Sequence, residues 1–483
     1  MIAPGDFLAG LTLSHQASLP REHHSLLSGC SVLRQTPYAP PPRAESSRLT
    51  KRTEPGDRKE SSRSHATPLR QIRVDECWSI SNRRAWHTSQ LVSPDTPADL
   101  SPATYRVGLV YRSGSSFETA WSGIPAGLAR GLSQVGIEPH PIDAEPTFIA
   151  TKLAKAWAAV ARGNRHGGMF APEIRELRRT TALLRARRAH FDATIQMGSD
   201  FGVPFFERLV TYEDMTVIQR TRLDNIEELF GTAAIETWIA GQRKCYSSAA
   251  RCCAMSTAAA DSIIRDYGID KEKVCVVWAG RNYDPKPIAR DWTKPRFLFM
   301  GHDWHRKNGP LVLQAFAQLK DRFREARLDI AGGHPRIDAE GVFLHGPLSL
   351  SDPRDRAKAE GLFESATCFV MPSQFEPFGI VYVEAAAAGV PSIGTVVGGA
   401  SDAIGEGGLL VNPQEADALT KSMEIMCNPW RASAMGAAAL KRSGVFTWPA
   451  VAQRVIHALG RTGVSSLQRH QPHGQALESE TGR

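Results

Sequence analysis

The chain runs through the same alternation of short apolar segments and amphipathic segments twice, with a turn-rich stretch between the two series. The first series starts at TYRVGLVYRSG (104–114) and continues through FDATIQMGS (191–199), LVTYEDMT (209–216), ARCCAMST (250–257) and KVCVVWAG (273–280). SGIPAGLARGLSQVGIEPHPID (122–143) reads as a helix and then a strand. Pro125 sits near the helix start, where its missing N–H costs nothing, and Gly136 fits the C′ position. Further helices are expected near 147–162 and 172–188. The segment RNYDPKPIARDWTKP (281–295) holds three prolines and interrupts the pattern. The second series then runs RFLFMGH (296–302), LDIAGG (328–333), VFLHG (342–346), TCFVMP (367–372), PSIGT (391–395) and GLLV (408–411), with FTWPAVAQRVIHAL (446–459) as a closing helix. Alternating strands and helices form parallel sheets covered on both faces, so the expected fold is α/β.

Residues 1–103 depart from this order. APPPR, ESSR and KESSRSH carry no sustained period, and such a segment buries too little apolar surface to offset its ordering entropy. It is expected to be disordered, or to be a misassigned N-terminal extension, since the next methionine after Met1 is Met169. An organellar targeting peptide is the weaker reading, because acidic residues are interspersed. The expected divisions are 1–103, a first α/β domain over 104–285, a second over 286–462, and a flexible tail over 463–483. Of the 483 residues, 42% are hydrophobic and 22% charged, enough for two ordinary cores. The formal charge of +8 fits an anionic ligand, an acidic membrane surface or a nucleic acid without choosing among them. The eight cysteines show no C-x-x-C spacing, so neither a zinc site nor a redox pair is indicated. Cys275 and Cys368 lie in apolar runs and read as small buried hydrophobes. No apolar run is long enough for a membrane-spanning helix.

Open parallel sheets bind ligands beyond the carboxyl ends of their strands, so those loops are where chemistry is expected. After RFLFMG comes HDWHRKNGPLVLQAF, where Val312, Ala315, Phe316 and Leu319 mark one helix face and Asn308 or Gly309 is the cap. Arg306 and Lys307 stand just before that helix, a pattern suited to an anion or to two solvated charges. After TCFVMP comes SQFEPFGIVYVEAAAAGVP, which places Glu376 in a loop, a helix start near Gly379, and Glu384 one turn further on. The amides near Phe378, Gly379 and Ile380 suit a phosphate, and a carboxylate at Glu384 suits a sugar diol, two oxygens accepting from two hydroxyls. A solvated Glu384 and a Glu376 that only complements the helix dipole is the alternative. A second glycine-rich turn, VGGASDAI (397–404), follows.

The run MPSQFEPFGIVYVEAAAAGVPSIGTVVGGASDAI resembles the donor-binding core of retaining family-4 glycosyltransferases (glycosyl transferases group 1), which have the GT-B fold. FMGHDWHRKNG is similar to that family's first loop in the second domain, and FTWPAVAQRVI to its closing helix, which often crosses back to the first domain. The resemblance covers about 104–460 and is strongest over 296–460. It implies two Rossmann-like domains facing across a cleft. It implies Arg306 and Lys307 on the donor diphosphate, Glu376 on the donor sugar, backbone amides of Phe378, Gly379 and Ile380 on sugar and phosphate, and Glu384 on the ribose. Gly114 and its neighbours Ser113, Ser115 and Ser116 would approach the donor from the first domain. Where many members carry a histidine, this chain has TYEDMT, with Asp214 at about that point.

The implied activity is a hexosyltransferase reaction that moves a sugar from a nucleotide-diphosphate sugar to an acceptor hydroxyl with retention, in glycan, polysaccharide or glycolipid synthesis. The implied partners are that donor and a saccharide or lipid-linked acceptor, with no nucleic acid. No D-x-D sequence occurs, and no metal or cofactor is expected. A GT-B epimerase or phosphorylase, or a non-catalytic nucleotide-sugar binder, are the alternatives. The expected location is the cytoplasm, with peripheral contact at the inner membrane face as a variant. The stretch 172–191 bears on that variant. Ile174, Leu177, Thr181 and Leu184 are expected to face the core, with the arginines around them either solvated or touching an anionic membrane.

Overall fold

The computed structural model describes residues 105–460, apart from 114–115, 163–171, 188, 203–207, 224–225 and 350. The expected N-terminal extension and C-terminal tail therefore lie outside the described residues.

The first series of strands forms one parallel sheet: β1 (Tyr105–Tyr111), β2 (Ile137–Asp143), β3 (Ala193–Met197), β4 (Leu209–Glu213), β5 (Arg251–Ala254) and β6 (Val274–Val276), in the order β2-β1-β3-β4-β5-β6. Its helices are α1 (Ile124–Gln134), α2 (Phe148–Arg162), α3 (Pro172–Ala186), α4 (Val217–Leu223), α5 (Ile226–Phe230), α6 (Thr232–Ser248) and α7 (Thr257–Arg265). The second series forms another parallel sheet: β7 (Arg296–Gly301), β8 (Arg327–Gly332), β9 (Val342–Gly346), β10 (Cys368–Val370), β11 (Ser392–Thr395) and β12 (Gly408–Val411), in the order β12-β11-β10-β7-β8-β9. Its helices are α8 (Gly309–Lys320), α9 (Pro353–Ser365), α10 (Ile380–Ala387), α11 (Ala400–Ile404), α12 (Ala416–Met426), α13 (Pro429–Ser443) and α14 (Trp448–Ala458). The central strands β3, β4 and β10 are buried along their whole length. They therefore show no alternation of buried and exposed positions, and Thr194, Gln196, Thr211 and Glu213 are buried along with their apolar neighbours. Cys252, Cys253 and Cys368 are buried as small core residues, and burial pushes their thiols up. Gly136 takes the left-handed conformation after α1 (φ 81°).

The stretch 172–191 departs from the expected pattern. The fully buried stripe of α3 is Ile174, Arg178, Ala182 and Ala186, whereas Leu184 is exposed. Arg178 is drawn inward by two carboxylates, Asp200 at 3.3 Å and Glu145 at 3.4 Å, and the small alanines beside it leave room. Its neighbours are also engaged with protein groups. Arg175 donates to Thr237 O, Arg179 pairs with Glu176, and Arg185 donates to Asp143 O. Leu184 turns outward because a stripe that recurs every fourth residue bypasses it.

Helix α14 crosses back to the first sheet and packs on α1. Its first residue, Trp448, fills a groove that three glycines leave open. A Cβ on Gly127 would lie 2.1 Å from the Trp448 ring, on Gly131 2.3 Å from its carbonyl, and on Gly280 2.5 Å from its ring. The indole N–H donates to Asn282 Oδ1 at 3.3 Å, which ties the helix to the turn-rich stretch between the sheets. At Gly131 the obstacle is backbone, which cannot rotate away. Gly131→Ala should therefore cost the ~1–3 kcal/mol typical of overpacking. At about 2–4 °C per kcal/mol, thermal melts should show a Tm several degrees below wild type, and an unchanged Tm would mean that the α1–α14 contact is loose.

Candidate functional site

The site grows from the loop after β7. Asp303 organises it: its carbonyl accepts from Lys307 N at 2.9 Å and its side chain from Arg306 N at 3.1 Å. Trp304 anchors the loop by packing against Phe299 and over Gly309, where a Cβ would fall 2.2 Å from the ring. Asn308 is in the left-handed conformation (φ 65°) and starts α8, but its side chain does not cap that helix. Its amide donates instead to Pro372 O at 3.1 Å and Pro413 O at 2.8 Å, which joins this loop to those after β10 and β12. Pro310 is the second residue of the helix.

This arrangement sends Lys307 across Gly301 to Glu376, and the two form a buried ion pair. Ser373 Oγ donates to the same carboxylate oxygen at 3.0 Å. Burial pushes Lys307 below the usual lysine value, and the adjacent Glu376 carboxylate opposes that shift. The main chain of Glu376 is held by the turn after β11. Glu376 N donates to Val397 O at 3.1 Å, and Gly399 N donates to Glu376 O at 2.7 Å. A Cβ on Gly398 (φ 97°) would lie 2.2 Å from Glu376 O. The glycines of VGGASDAI thus serve close backbone approach to Glu376. Arg306 reaches the same cleft, with its guanidinium 5.2 Å over the Phe375 ring and donating to Phe375 O at 3.1 Å.

Helix α10 begins three residues after Pro377, with Gly379 in the left-handed conformation (φ 87°) as its cap. Among the described residues, the amides of Phe378, Gly379 and Ile380 have no hydrogen-bond partner. Phe378 itself is buried, edge-on to Phe446. Glu384 is buried too, and the stretch between the sheets already uses it. Its Oε1 accepts from Asn282 N at 3.0 Å and Tyr283 N at 3.2 Å. Desolvation pushes its carboxyl up to about 8, with those two amides acting against the shift. The solvated alternative for Glu384 does not hold, and one carboxylate oxygen rather than two remains for a ligand.

A cleft of about 620 Å³ collects these groups. Arg306, Lys307, Glu376, Phe378, Gly379, Ile380 and Glu384 line it from the second sheet, and Asp214, Trp121 and Asn282 face them. Asp214 thus lies in the same cleft as the expected residues of the second sheet, and Trp121 and Asn282, which the sequence did not single out, join it there. The Trp121 indole N–H donates to Asp214 Oδ2 at 3.1 Å. Trp121, Ser122 and Gly123 are three consecutive left-handed residues, with φ of 44°, 57° and 79°. Left-handed backbone costs about 1–2 kcal/mol for each non-glycine residue, so other contacts must hold this turn. Asn282 Nδ2 supplies one, donating to Ser122 O at 2.7 Å. Desolvation raises the Asp214 carboxyl to about 6, the Trp121 N–H opposes that shift, and the Glu376 charge adds to it.

Asp214 and Trp121 also line a second pocket of about 440 Å³, built by the first sheet alone. It contains the chain Arg112–Asp200–Arg178–Glu145 and the buried Glu213. Ser113 lines this pocket rather than the larger cleft, and its amide donates to Asp143. Ser116 pairs with Thr119 at 2.9 Å. Gly114 and Ser115 lie outside the described residues. Nothing in the sequence marked Trp121 or Arg178, because the first acts through an irregular turn and the second breaks the apolar period of its helix.

Residues 294–428 match the family described as glycosyl transferases group 1. Among curated relatives, the chain is 28% identical over 247 residues to the mannosylfructose-phosphate synthase of Agrobacterium fabrum (43% of this chain, 52% of the relative). It is 29% identical over 256 residues to the D-inositol 3-phosphate glycosyltransferase of Frankia alni (47% and 63%). The matches thus span about half to three-fifths of those relatives' length. Among solved structures, the sucrose-phosphate synthase of Thermosynechococcus elongatus superposes with TM-score 0.55 at 17% identity, over 73% of this chain and 98% of that one. The lipopolysaccharide glycosyltransferase WaaG superposes with TM-score 0.53 at 13% identity, over 73% and 99%. The fold is GT-B.

Glu213 offers a test of the first sheet's pocket. Desolvation raises its carboxyl to about 8, against hydrogen bonds from Ser199 and Tyr246. An unfolded glutamate titrates near ~4.3, so the folded state holds an extra proton between these two values. This group's contribution to stability is therefore lost as pH rises from about 4 towards 8. Thermal melts of Glu213→Gln should show its Tm gaining on wild type between pH 5 and pH 8. A gap independent of pH would contradict a neutral, buried Glu213.

Proposed function

We propose that this chain is a glycosyltransferase that moves a sugar from a nucleotide-diphosphate donor to an acceptor hydroxyl, with retention of configuration and without a metal. The observation that carries this reading is the buried Lys307–Glu376 pair, set beside the unpartnered amides at the start of α10 and facing Asp214 across one cleft. The group 1 match and the names of the relatives support it for the donor half.

The roles follow from charge. The bond between the anomeric carbon and the leaving diphosphate oxygen breaks, and negative charge grows on the diphosphate. Lys307, Arg306 and the amides of Phe378, Gly379 and Ile380 stabilise that charge from fixed positions, so little reorganisation is needed as the reaction proceeds. Glu376 accepts from hydroxyls of the donor sugar, and the remaining oxygen of Glu384 accepts from the ribose. Asp214, at about the point where the family resemblance implies a histidine, accepts from a hydroxyl of the donor sugar. The acceptor sits in the pocket of the first sheet. Its hydroxyl oxygen bonds the anomeric carbon on the face the diphosphate leaves, and its proton passes to the leaving phosphate oxygen. Shielding the cleft from water suppresses hydrolysis. In the resting pair, Glu376 holds Lys307 in place, and an arriving diphosphate competes for the same ammonium.

Lys307→Ala and Glu376→Ala should each lower transfer at least about 100-fold, the scale of losing one transition-state contact. Tm should be measured alongside, because removing one partner strands the other in a buried site. Near wild-type transfer by both variants would remove the site assignment. Donor isomerised without an acceptor would point to an epimerase. Stabilisation by UDP, GDP and ADP sugars, about 2.7 kcal/mol at a hundredfold excess over Kd, should single out the base. Trp121→Phe keeps an aromatic ring but loses the N–H that favours the charged Asp214. Its Asp214 should therefore titrate higher, and the acidic limb of the transfer profile should move to higher pH. A limb that stays in place would separate Asp214 from catalysis.

A further inference from the structure

The helix that follows β2 has its large apolar residues on the outside. Glu145 lines the pocket of the first sheet, and α2 starts three residues later at Phe148. Ile149, Leu153, Trp157 and Val160 recur at i, i+4, i+8 and i+11, which is one face of a helix. Together with Phe148 they are 67–83% exposed. The helix docks through a small residue, Ala154, against Ile174 of α3. A surface helix in water normally shows the opposite orientation, with its apolar face on the core. Elsewhere among the described residues, exposed large apolar side chains come only one or two to an element.

The charges on this helix have one sign. The sequence of α2, FIATKLAKAWAAVAR, contains no acidic residue, and Lys152 and Lys155 are exposed. Lys152 Nζ sits 4.3 Å over the Phe148 ring, so cation and apolar surface are contiguous. We propose that α2 is an interfacial helix that lies in the headgroup plane of an anionic lipid surface and seats the first sheet there. A helix of 15 residues is about 22 Å long, too short to cross a bilayer and suited to lying on one. Trp and Leu on one side with lysines flanking them match such a surface. A second copy of this helix would instead bring lysines against lysines. The arginines of α3, the other basic surface on this side, are engaged with protein groups. Together with the proposed transfer reaction, on which this consequence rests, the position of α2 beside Glu145 puts a lipid-borne acceptor next to its pocket.

The test is co-sedimentation of the full chain with vesicles of phosphatidylcholine alone and of phosphatidylcholine with phosphatidylglycerol. Binding to the anionic vesicles should exceed binding to the neutral ones by at least about tenfold, the scale of two or three basic residues at an anionic surface, and should weaken in high salt. The double variant Ile149→Ser, Trp157→Ser should lose that binding at least about tenfold while keeping its Tm and its thermal shift with nucleotide sugars. Those two readings need no vesicles, so they report on folding and on donor binding separately from the lipid surface. Equal sedimentation of variant and wild type would overturn the proposal. So would a lipid-independent dimer of the wild type that the double variant abolishes, since a second copy would then cover α2.

Discussion

The buried pair of Lys307 and Glu376 joins two loops 69 residues apart, and much of the cleft is arranged to make that pair tolerable. Two charges leave water only when geometry and further hydrogen bonds compensate, and here both are supplied. Asp303 builds the turn that aims Lys307, and Ser373 donates to the carboxylate. The Gly398–Gly399 turn fixes the Glu376 main chain by an approach too close for any side chain. Asn308, which could have capped α8, spans to the loops after β10 and β12. Each of these is a local concession that holds the ammonium and the carboxylate side by side.

A second set of contacts links this cleft to the first sheet. Asn282 touches four structures at once. Its amide reaches Glu384, its side chain donates to Ser122 O and accepts from Trp448, and its carbonyl accepts from Arg356. The left-handed turn at Trp121 depends on one of those contacts, and Asp214 depends on Trp121. The stretch between the sheets is thus part of the site rather than a tether. Whatever occupies Glu384 bears on the same residue that holds the Trp121 turn.

Much of the fold was legible because buried parallel strands leave short, mostly apolar segments and their helices leave a 3.6-residue period. Both repeat twice in this chain. The grouping of Glu376, Gly379 and Glu384 was legible as well, since they lie within one strand–loop–helix unit where spacing maps directly onto geometry, and all three line the same cleft. The failures share a cause. Arg178 occupies a core position only because Asp200 and Glu145, distant in sequence, neutralise it there. Leu184 was assigned inward because an apolar residue at helical spacing usually is. The outward face of α2 could not be inferred from periodicity, which reveals that a helix has an apolar side but not which way that side turns.

By itself, the sequence determined the two α/β series, the cation-bearing loop before α8, and the Glu376–Glu384 unit, because each is encoded by residues near one another along the chain. Only the tertiary structure decided that Lys307 is paired with Glu376, that one oxygen of Glu384 is already occupied, that Trp121 holds Asp214, and that α2 faces outward. Those outcomes depend on which segments meet in space, and on which buried charges find partners when they do.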